Sequence, residues 1–241
     1  MKKILILPDV HLETSLPKAY QVVKKFIKKQ KMFDEIILLG DFMDVSSLSA
    51  WDMDKKRLME GRRYQKEVDT ANEELDFLGK HSKKITYLEG NHEWRIERYL
   101  DKNPEMEGLL ELPTVLNLKG RGIEYVKYNK LYRIGHLYFT HGLYCSKYYT
   151  NKTLAALGCN VVVGHLHKPQ TSFTTAKMSE AKMCWGLGCL QGKEPAYLKG
   201  RPSNWNNGFG MAYIKDNGKF SMYPVHMSRD GSFIWEGKEY V

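Results

Sequence analysis

Five short segments of this chain are rich in metal-ligand side chains, and most of them directly follow an apolar run. They are Asp9-Val10-His11, Gly40-Asp41-Phe42-Met43-Asp44, Gly90-Asn91-His92-Glu93, Thr140-His141-Gly142 and Gly164-His165-Leu166-His167. Short runs rich in Leu or β-branched residues predict buried strands, so the ligands stand at strand ends. Any fold must therefore bring several strand ends to one edge of a sheet. Five of the eight histidines lie in these segments. An array of Asp, Asn and His oxygen and nitrogen donors suits a pair of small divalent cations.

The spacing between the segments predicts the rest of the first half. Ile4–Leu7, Glu35–Leu39 and Lys84–Leu88 are apolar runs of strand length. Between the first two, Leu16, Tyr20, Val23 and Ile27 fall on one helical face, with Thr14 or Ser15 as cap and Pro17 near the first turn. Lys24, Lys25, Lys28 and Lys29 cover the other side, the pattern of a solvated face. Asp54 to His81 reads as helix, with Val68, Ala71, Leu75 and Leu78 in phase, and Glu93 to Leu100 as another. The alternation of strand and helix predicts an α/β sheet with helical crossovers. The second half is richer in strands: 123–128, 131–134, 137–140 and 160–163, with a helix over Ser146 to Leu157. Asp216-Asn217-Gly218 signals a hairpin. We expect one domain over residues 1–241, two sheets in contact with helices outside, and a helical insertion around 45–83.

At 42% hydrophobic and 27% charged residues, the composition is that of an ordinary globular protein. The net charge of +9 favours anionic partners, although the charge is spread along the chain and forms no basic tail. The four cysteines show no CxxC spacing, which argues against a structural zinc site and fits free thiols in a reducing compartment. The apolar stretch at the start ends at Leu7, short of the roughly 7–15 residues of a signal-peptide core. No run approaches the ~18 apolar residues of a membrane helix. A cytoplasmic protein is expected.

The ligand spacing has a direct chemical reading. Asp9 and His11 are two apart, so on a strand they face the same side and can chelate one ion together. His165 and His167 repeat that spacing at another strand end. Asp41, at a glycine turn, is placed to bridge two ions. Gly40, Gly90, Gly142 and Gly164 permit tight turns and close approach.

The ordered set D-x-H, G-D-x-x-D, G-N-H-E, H-G and G-H-x-H, over residues 9 to 167, resembles the calcineurin-like metallophosphoesterase superfamily. The tail, with Gly188-Cys189-Leu190, Lys199-Gly200-Arg201 and Asn204 to Phe209, is similar to metallophosphoesterases of phages and prophages. The resemblance implies a four-layer αββα sandwich of two mixed sheets flanked by helices. It implies a first metal on Asp9, His11, Asp41 and His167, and a second on Asp41, Asn91, His141 and His165. The ions would be Mn²⁺, with Fe, Zn²⁺ or Ni²⁺ as alternatives. His92 resembles the family's catalytic histidine, which protonates the leaving oxygen, and Asp44 the carboxylate that orients it. Glu93 would support these residues from behind, though Asp44 and Glu93 also fit plain turn and cap chemistry. Two divalent ions serve phosphoester hydrolysis by neutralising phosphoryl oxygens and acidifying water.

Departures from the family's branches narrow the expectation. The protein phosphatases follow the second Asp with Arg-Gly, whereas Asp44 precedes Val45-Ser46, and they lack the second histidine of Gly164-His165-Leu166-His167. The chain thus looks closer to the phosphodiesterases and nucleases, with a nucleotide or nucleic-acid substrate. A phosphomonoesterase and a non-catalytic scaffold are the alternatives. Arg95 and Arg98, three apart on a predicted helix, are candidate phosphate contacts. Arg62, Arg63, Lys199, Arg201 and Trp205 are further candidates, Trp205 as a surface on which a base could stack.

Overall fold

The computed structural model describes residues 1–13, 15–50, 54–176, 179–192 and 203–241. Its first sheet is built from β1 (Lys2–Leu7), β2 (Glu35–Leu39), β3 (Ile85–Leu88) and β4 (Glu124–Val126), with β10 (Gly208–Ile214) and β11 (Phe220–His226). The order is β11-β10-β1-β2-β3-β4. β1 to β4 run parallel, while β10 is antiparallel to both of its neighbours. The second sheet has β5 (Tyr132–Ile134), β6 (Leu137–Thr140), β7 (Asn160–Val163), β8 (Pro169–Ala176) and β9 (Ser179–Leu187). Its order is β5-β6-β7-β9-β8, with a parallel centre and antiparallel edges. Both sheets are therefore mixed. A short ribbon of β12 (Phe233–Trp235) and β13 (Lys238–Tyr240) packs beside the helix that follows β1.

The layers follow from the two-residue period of strands. Ile4 and Ile6 of β1, with Ile37 and Leu39 of β2, join Leu137, Phe139, Val162, Trp185 and Leu187 in a core between the sheets. Their neighbours Leu5, Leu7, Ile36 and Leu38 face the other way. There they meet α1 (Lys18–Lys29) through Tyr20, Val23, Phe26 and Ile27, and α3 (Tyr64–Gly79) through Val68, Ala71, Leu75 and Leu78. Val161 and Val163 of β7 turn from the inter-sheet core to α5 (Tyr149–Leu157), where Tyr149 and Leu154 cover them. Strands buried on both faces read as continuous apolar runs, which is why β1, β2 and β7 were legible. The architecture is helix, sheet, sheet, helix, as the resemblance implies.

Several boundaries differ from expectation. The helix expected over 54–81 is two: α2 (Lys56–Met59) and α3, separated at Gly61, whose φ of +77° ends the first. α1 begins at Lys18 behind Pro17 and has no side-chain cap, so Ser15 does not cap it; Thr14 lies outside the described residues. The helix expected from Glu93 is α4 (Arg95–Leu100), because tight turns precede it: Arg95 N–H donates to the His92 carbonyl and Ile96 N–H to the Glu93 carbonyl, each three residues back. The helix expected from Ser146 begins at Tyr149. Between β10 and β11, Gly218 has a φ of +83° and its N–H donates to the Lys215 carbonyl, making the expected hairpin turn. Among the described residues no helix is long and apolar enough to cross a membrane.

The parallel strands β1, β2 and β3 end at one edge, and β6 and β7 of the second sheet end beside them. Backbone bonds tie these ends together. The His11 N–H donates to the Asp41 carbonyl at 2.9 Å, Asp44 N–H to Leu12 at 3.0 Å and Gly164 N–H to His141 at 2.8 Å.

Candidate metal centre

Beyond those strand ends the backbone turns into the left-handed region at five ligand positions: Asp9 (φ 44°), His11 (51°), Asp41 (48°), His165 (72°) and His167 (57°). Each such non-glycine residue costs about 1–3 kcal/mol, which neighbouring structure must offset. The turn re-aims each side chain across the sheet edge. Glycines make the remaining space: a Cβ on Gly90 would land on Asp41, and one on Gly40 would land on the His141 ring.

The side chains converge in overlapping groups. Asp9, His11 and His167 form one, and Asp41, His141 and His165 another, each with ligand atoms within 4.8 Å of one another. In the first, His11 Nε2 lies 3.1 Å from His167 Nε2, and His167 Nε2 lies 3.3 Å from Asp9 Oδ1. In the second, His141 Nε2 is 3.3 Å from Asp41 Oδ2 and 2.9 Å from Asn91 Oδ1. Asp41 Oδ2 is also 3.7 Å from His11 Nε2, so this one oxygen stands between the groups. Two donors that bind one ion at about 2.1 Å and a right angle sit about 3 Å apart. The spacings and the hard and borderline donor set fit divalent cations.

Outer partners fix the rings. His141 Nδ1 donates to the Leu39 carbonyl at 3.0 Å, leaving Nε2 for the cluster. His11 Nδ1 lies 2.9 Å from Asp44 Oδ1, which does the same for His11. The buried His167 Nδ1 has no hydrogen-bond partner among the described residues. Glu93, fully buried, accepts from the backbone N–H groups of Asp41, Met43 and Gly90 and from the Tyr87 hydroxyl. It thus clamps the ends of β2 and β3 together.

Burial and neighbouring charges move the imidazoles in both directions. Burial, then the neighbouring His92, depresses His11, and burial with His141 pushes His165 down to about 4. Neutral imidazoles of that kind suit metal ligation. Burial opposes the charge of Asp41, but His141, His92 and His11 outweigh it and hold the carboxyl well below its ordinary range. Asp41 in turn outweighs the burial of His141 and raises it to about 10, a proton that a cation would replace. Burial also works against a charged His92. Asp41 and the hydrogen bond to Asp44 overcome it, so His92 lies above the ordinary histidine value.

His92 is beside the clusters, its Nε2 3.9 Å from Asp41 Oδ2 and its Nδ1 2.9 Å from Asp44 Oδ1. His92, Asp44 and His11 also form a third compact group of potential ligands. Arg95 reaches the same place: Nη1 donates to the Asp44 carbonyl at 2.8 Å, and Nη2 lies 3.1 Å from His92 Nε2, a pairing that holds only while that nitrogen carries no proton. Arg98 lies back from the centre, its guanidinium 5.8 Å above the Trp94 ring. Trp205 packs edge-on against His167, with ring centroids 4.3 Å apart. Arg62 is near enough to act on Glu13, and Arg63 Nη1 donates to the Arg62 carbonyl. Lys199 and Arg201 lie outside the described residues.

Three residues were not singled out from the sequence. Glu13 stands two residues beyond His11 in sequence and interacts with Asp44; burial, then the Asp44 charge, raises its carboxyl. Cys145 Sγ lies 2.9 Å from His165 Nε2. Glu67 of α3 accepts from Ser46 N–H and Oγ and from Ser47 N–H, just after Val45, itself at φ 48°. Only the Glu13 spacing was a usable sequence signal.

Comparison with known proteins agrees with this geometry. The gene 54 protein of Mycobacterium phage D29 is 25% identical over 259 residues, covering 98% of this chain and 99% of that protein. The gene 54 protein of Mycobacterium phage L5 is 24% identical over 256 residues, with the same coverage. Vps29 from Chaetomium thermophilum shares the fold, with a TM-score of 0.50 at 11% identity over 95% of this chain and 93% of that one. Residues 2–169 match the calcineurin-like phosphoesterase family model. With the ligand groups at its strand ends, the chain belongs to the calcineurin-like phosphoesterase family and is a metal-dependent phosphoester hydrolase.

Proposed function

We propose that this protein is a dimetal phosphodiesterase or nuclease acting on nucleotide or nucleic-acid substrates. The observation that carries the reading is Asp41 Oδ2, set between two ligand groups with His92 alongside. Asp9, His11, Asp41 and His167 would hold one ion, and Asp41, Asn91, His141 and His165 the other, with Mn²⁺ the first choice and Fe, Zn²⁺ or Ni²⁺ alternatives. Such ions would neutralise phosphoryl oxygens and lower the pKa of water from 15.7 to about 7.

The chain's own groups do the rest. His92, held by Asp44 and raised by Asp41, would give its proton to the leaving oxygen. Before that, Arg95 must yield His92 Nε2 so that this nitrogen can carry the proton, and a phosphoryl oxygen is a better partner for its guanidinium than an imidazole nitrogen. Residues 1–241 are read as one cytoplasmic phosphoesterase domain with residues 45–83 as a helical insertion. A nucleotide or nucleic-acid substrate is supported by the net charge of +9. A phosphomonoesterase is favoured by one feature, the Arg95 charge beside His92, which would match the extra charge of a monoester.

Hydrolysis of bis-p-nitrophenyl phosphate and p-nitrophenyl phosphate with added Mn²⁺ tests the reading. Faster turnover of the diester is expected. Preference for the monoester would overturn it, and no turnover of either ester by metal-loaded protein would point to a non-catalytic scaffold.

A further inference from the structure

We propose that the cavity next to Arg95 binds a second phosphate of the substrate, on the leaving-group side of the scissile one. The cavity measures about 160 Å³ and is walled by Leu48, Ala50 and Tyr99, with Arg95, Arg98 and Lys102 around it. Arg95 connects it to the reaction centre, since the same guanidinium touches His92 Nε2. The inference rests on the phosphodiester reading, in which His92 serves the leaving oxygen; a group bound beyond Arg95 then belongs to the leaving portion.

Four features point to phosphate as the ligand. Three cations surround a space that holds several waters, so a compact anion can enter. Leu48, Ala50 and Tyr99 add no negative charge to the space, so the field of those cations is unopposed there. Arg98 is held over Trp94, which itself stacks on Tyr128 at 5.6 Å, so part of its ordering cost is already met. Among the described residues neither Arg98 nor Lys102 has a carboxylate partner, so their charge is available to a ligand. An extended polyanion supplies such a second phosphate; a simple aryl diester does not.

The test compares the protein with an R98Q/K102Q variant, which alters two exposed side chains and leaves Arg95 and His92 intact. Substrates are bis-p-nitrophenyl phosphate and TpT, with one phosphate each, and pTpT and TpTp, with two. The expected result is a kcat/KM for at least one two-phosphate substrate on the order of tenfold above that for TpT. The variant should lose that advantage through KM and keep its rates on the one-phosphate substrates, while R98K/K102R should retain the advantage. Absence of any gain from the second phosphate, or an equal loss on all substrates, would overturn the proposal. Should the protein cleave no diester, the phosphodiester reading fails, and anisotropy of a fluorescein-labelled oligothymidylate then decides. Weaker binding by R98Q/K102Q, with a salt slope reduced by about 0.7 for one phosphate, supports the subsite. Equal binding overturns it.

Discussion

His11 and His92 are fastened to the same carboxylate oxygen. Each Nδ1 lies 2.9 Å from Asp44 Oδ1, and the two rings meet edge to face with centroids 4.4 Å apart. One carboxylate therefore orients both a proposed metal ligand and the proposed proton donor. In Asp44→Asn the acceptor charge is lost. We expect kcat to fall on the order of 10²-fold, the range of a positioned acid. His92 should also titrate lower, since Asp44 helps raise it. An acid works only while protonated, so the alkaline limb of the rate profile should shift to lower pH. A kcat profile from pH 5 to 9 checks this, and an unmoved limb would rule out the Asp44–His92 coupling.

His92 and Asp41 should separate chemistry from metal binding. His92→Ala is expected to retain both ions and lose most activity. Asp41→Asn, which changes the oxygen between the ligand groups, should lose metal and activity together. Elemental analysis of the purified variants provides the readout. Equal metal loss in both would mean that His92 is a ligand.

Glu67 should make stability depend on pH. Burial, then the charge of Asp44, raises its carboxyl to about 7, against hydrogen bonds from Ser47 and Ser46. The folded state thus holds the Glu67 proton more tightly than the unfolded chain does. Its contribution is most favourable below about 4.5, falls as pH rises to about 7 and is then flat. The change is on the order of 3 kcal/mol. Urea unfolding from pH 4.5 to 7.5 should show a shallower decline for Glu67→Gln than for the unaltered protein. Identical slopes would mean that Glu67 does not carry this dependence.

Gly90 should be intolerant of any side chain. A Cβ there meets the Asp41 backbone and carboxylate, whereas one on Gly79 meets nothing. Gly90→Ala is expected to reduce bound metal and activity severely. Gly79→Ala, at the end of α3, should leave both intact and shift stability by no more than about 1 kcal/mol. Metal titration by calorimetry compares them. Normal affinity in Gly90→Ala would show that the loop relaxes around the added methyl.

The sequence by itself determined the strands and the donor set. Ile4 and Leu5, like Ile37 and Leu38, are all fully buried, each pair split between the two cores, so β1 and β2 were legible as continuous apolar runs. Strand ends with Asp, Asn and His were legible for the same reason. Helix boundaries near Gly61 and Glu93 were less so, because a left-handed glycine and three-residue turns interrupt helical periodicity.

Only the tertiary structure decided which donor atoms meet. His11 and His167 touch across 156 positions of sequence, and no local pattern encodes such a pairing. The left-handed turns at Asp9, His11, Asp41, His165 and His167 are likewise unfavourable locally. They persist because bonds between strand ends, and the Glu93 and Asp44 carboxylates, fix the loops. The placement of Arg95 on His92 and of Cys145 on His165 belongs to the same class. Chain segments supply the chemistry; packing of two sheets face to face, with their strand ends side by side, supplies the distances at which it can operate.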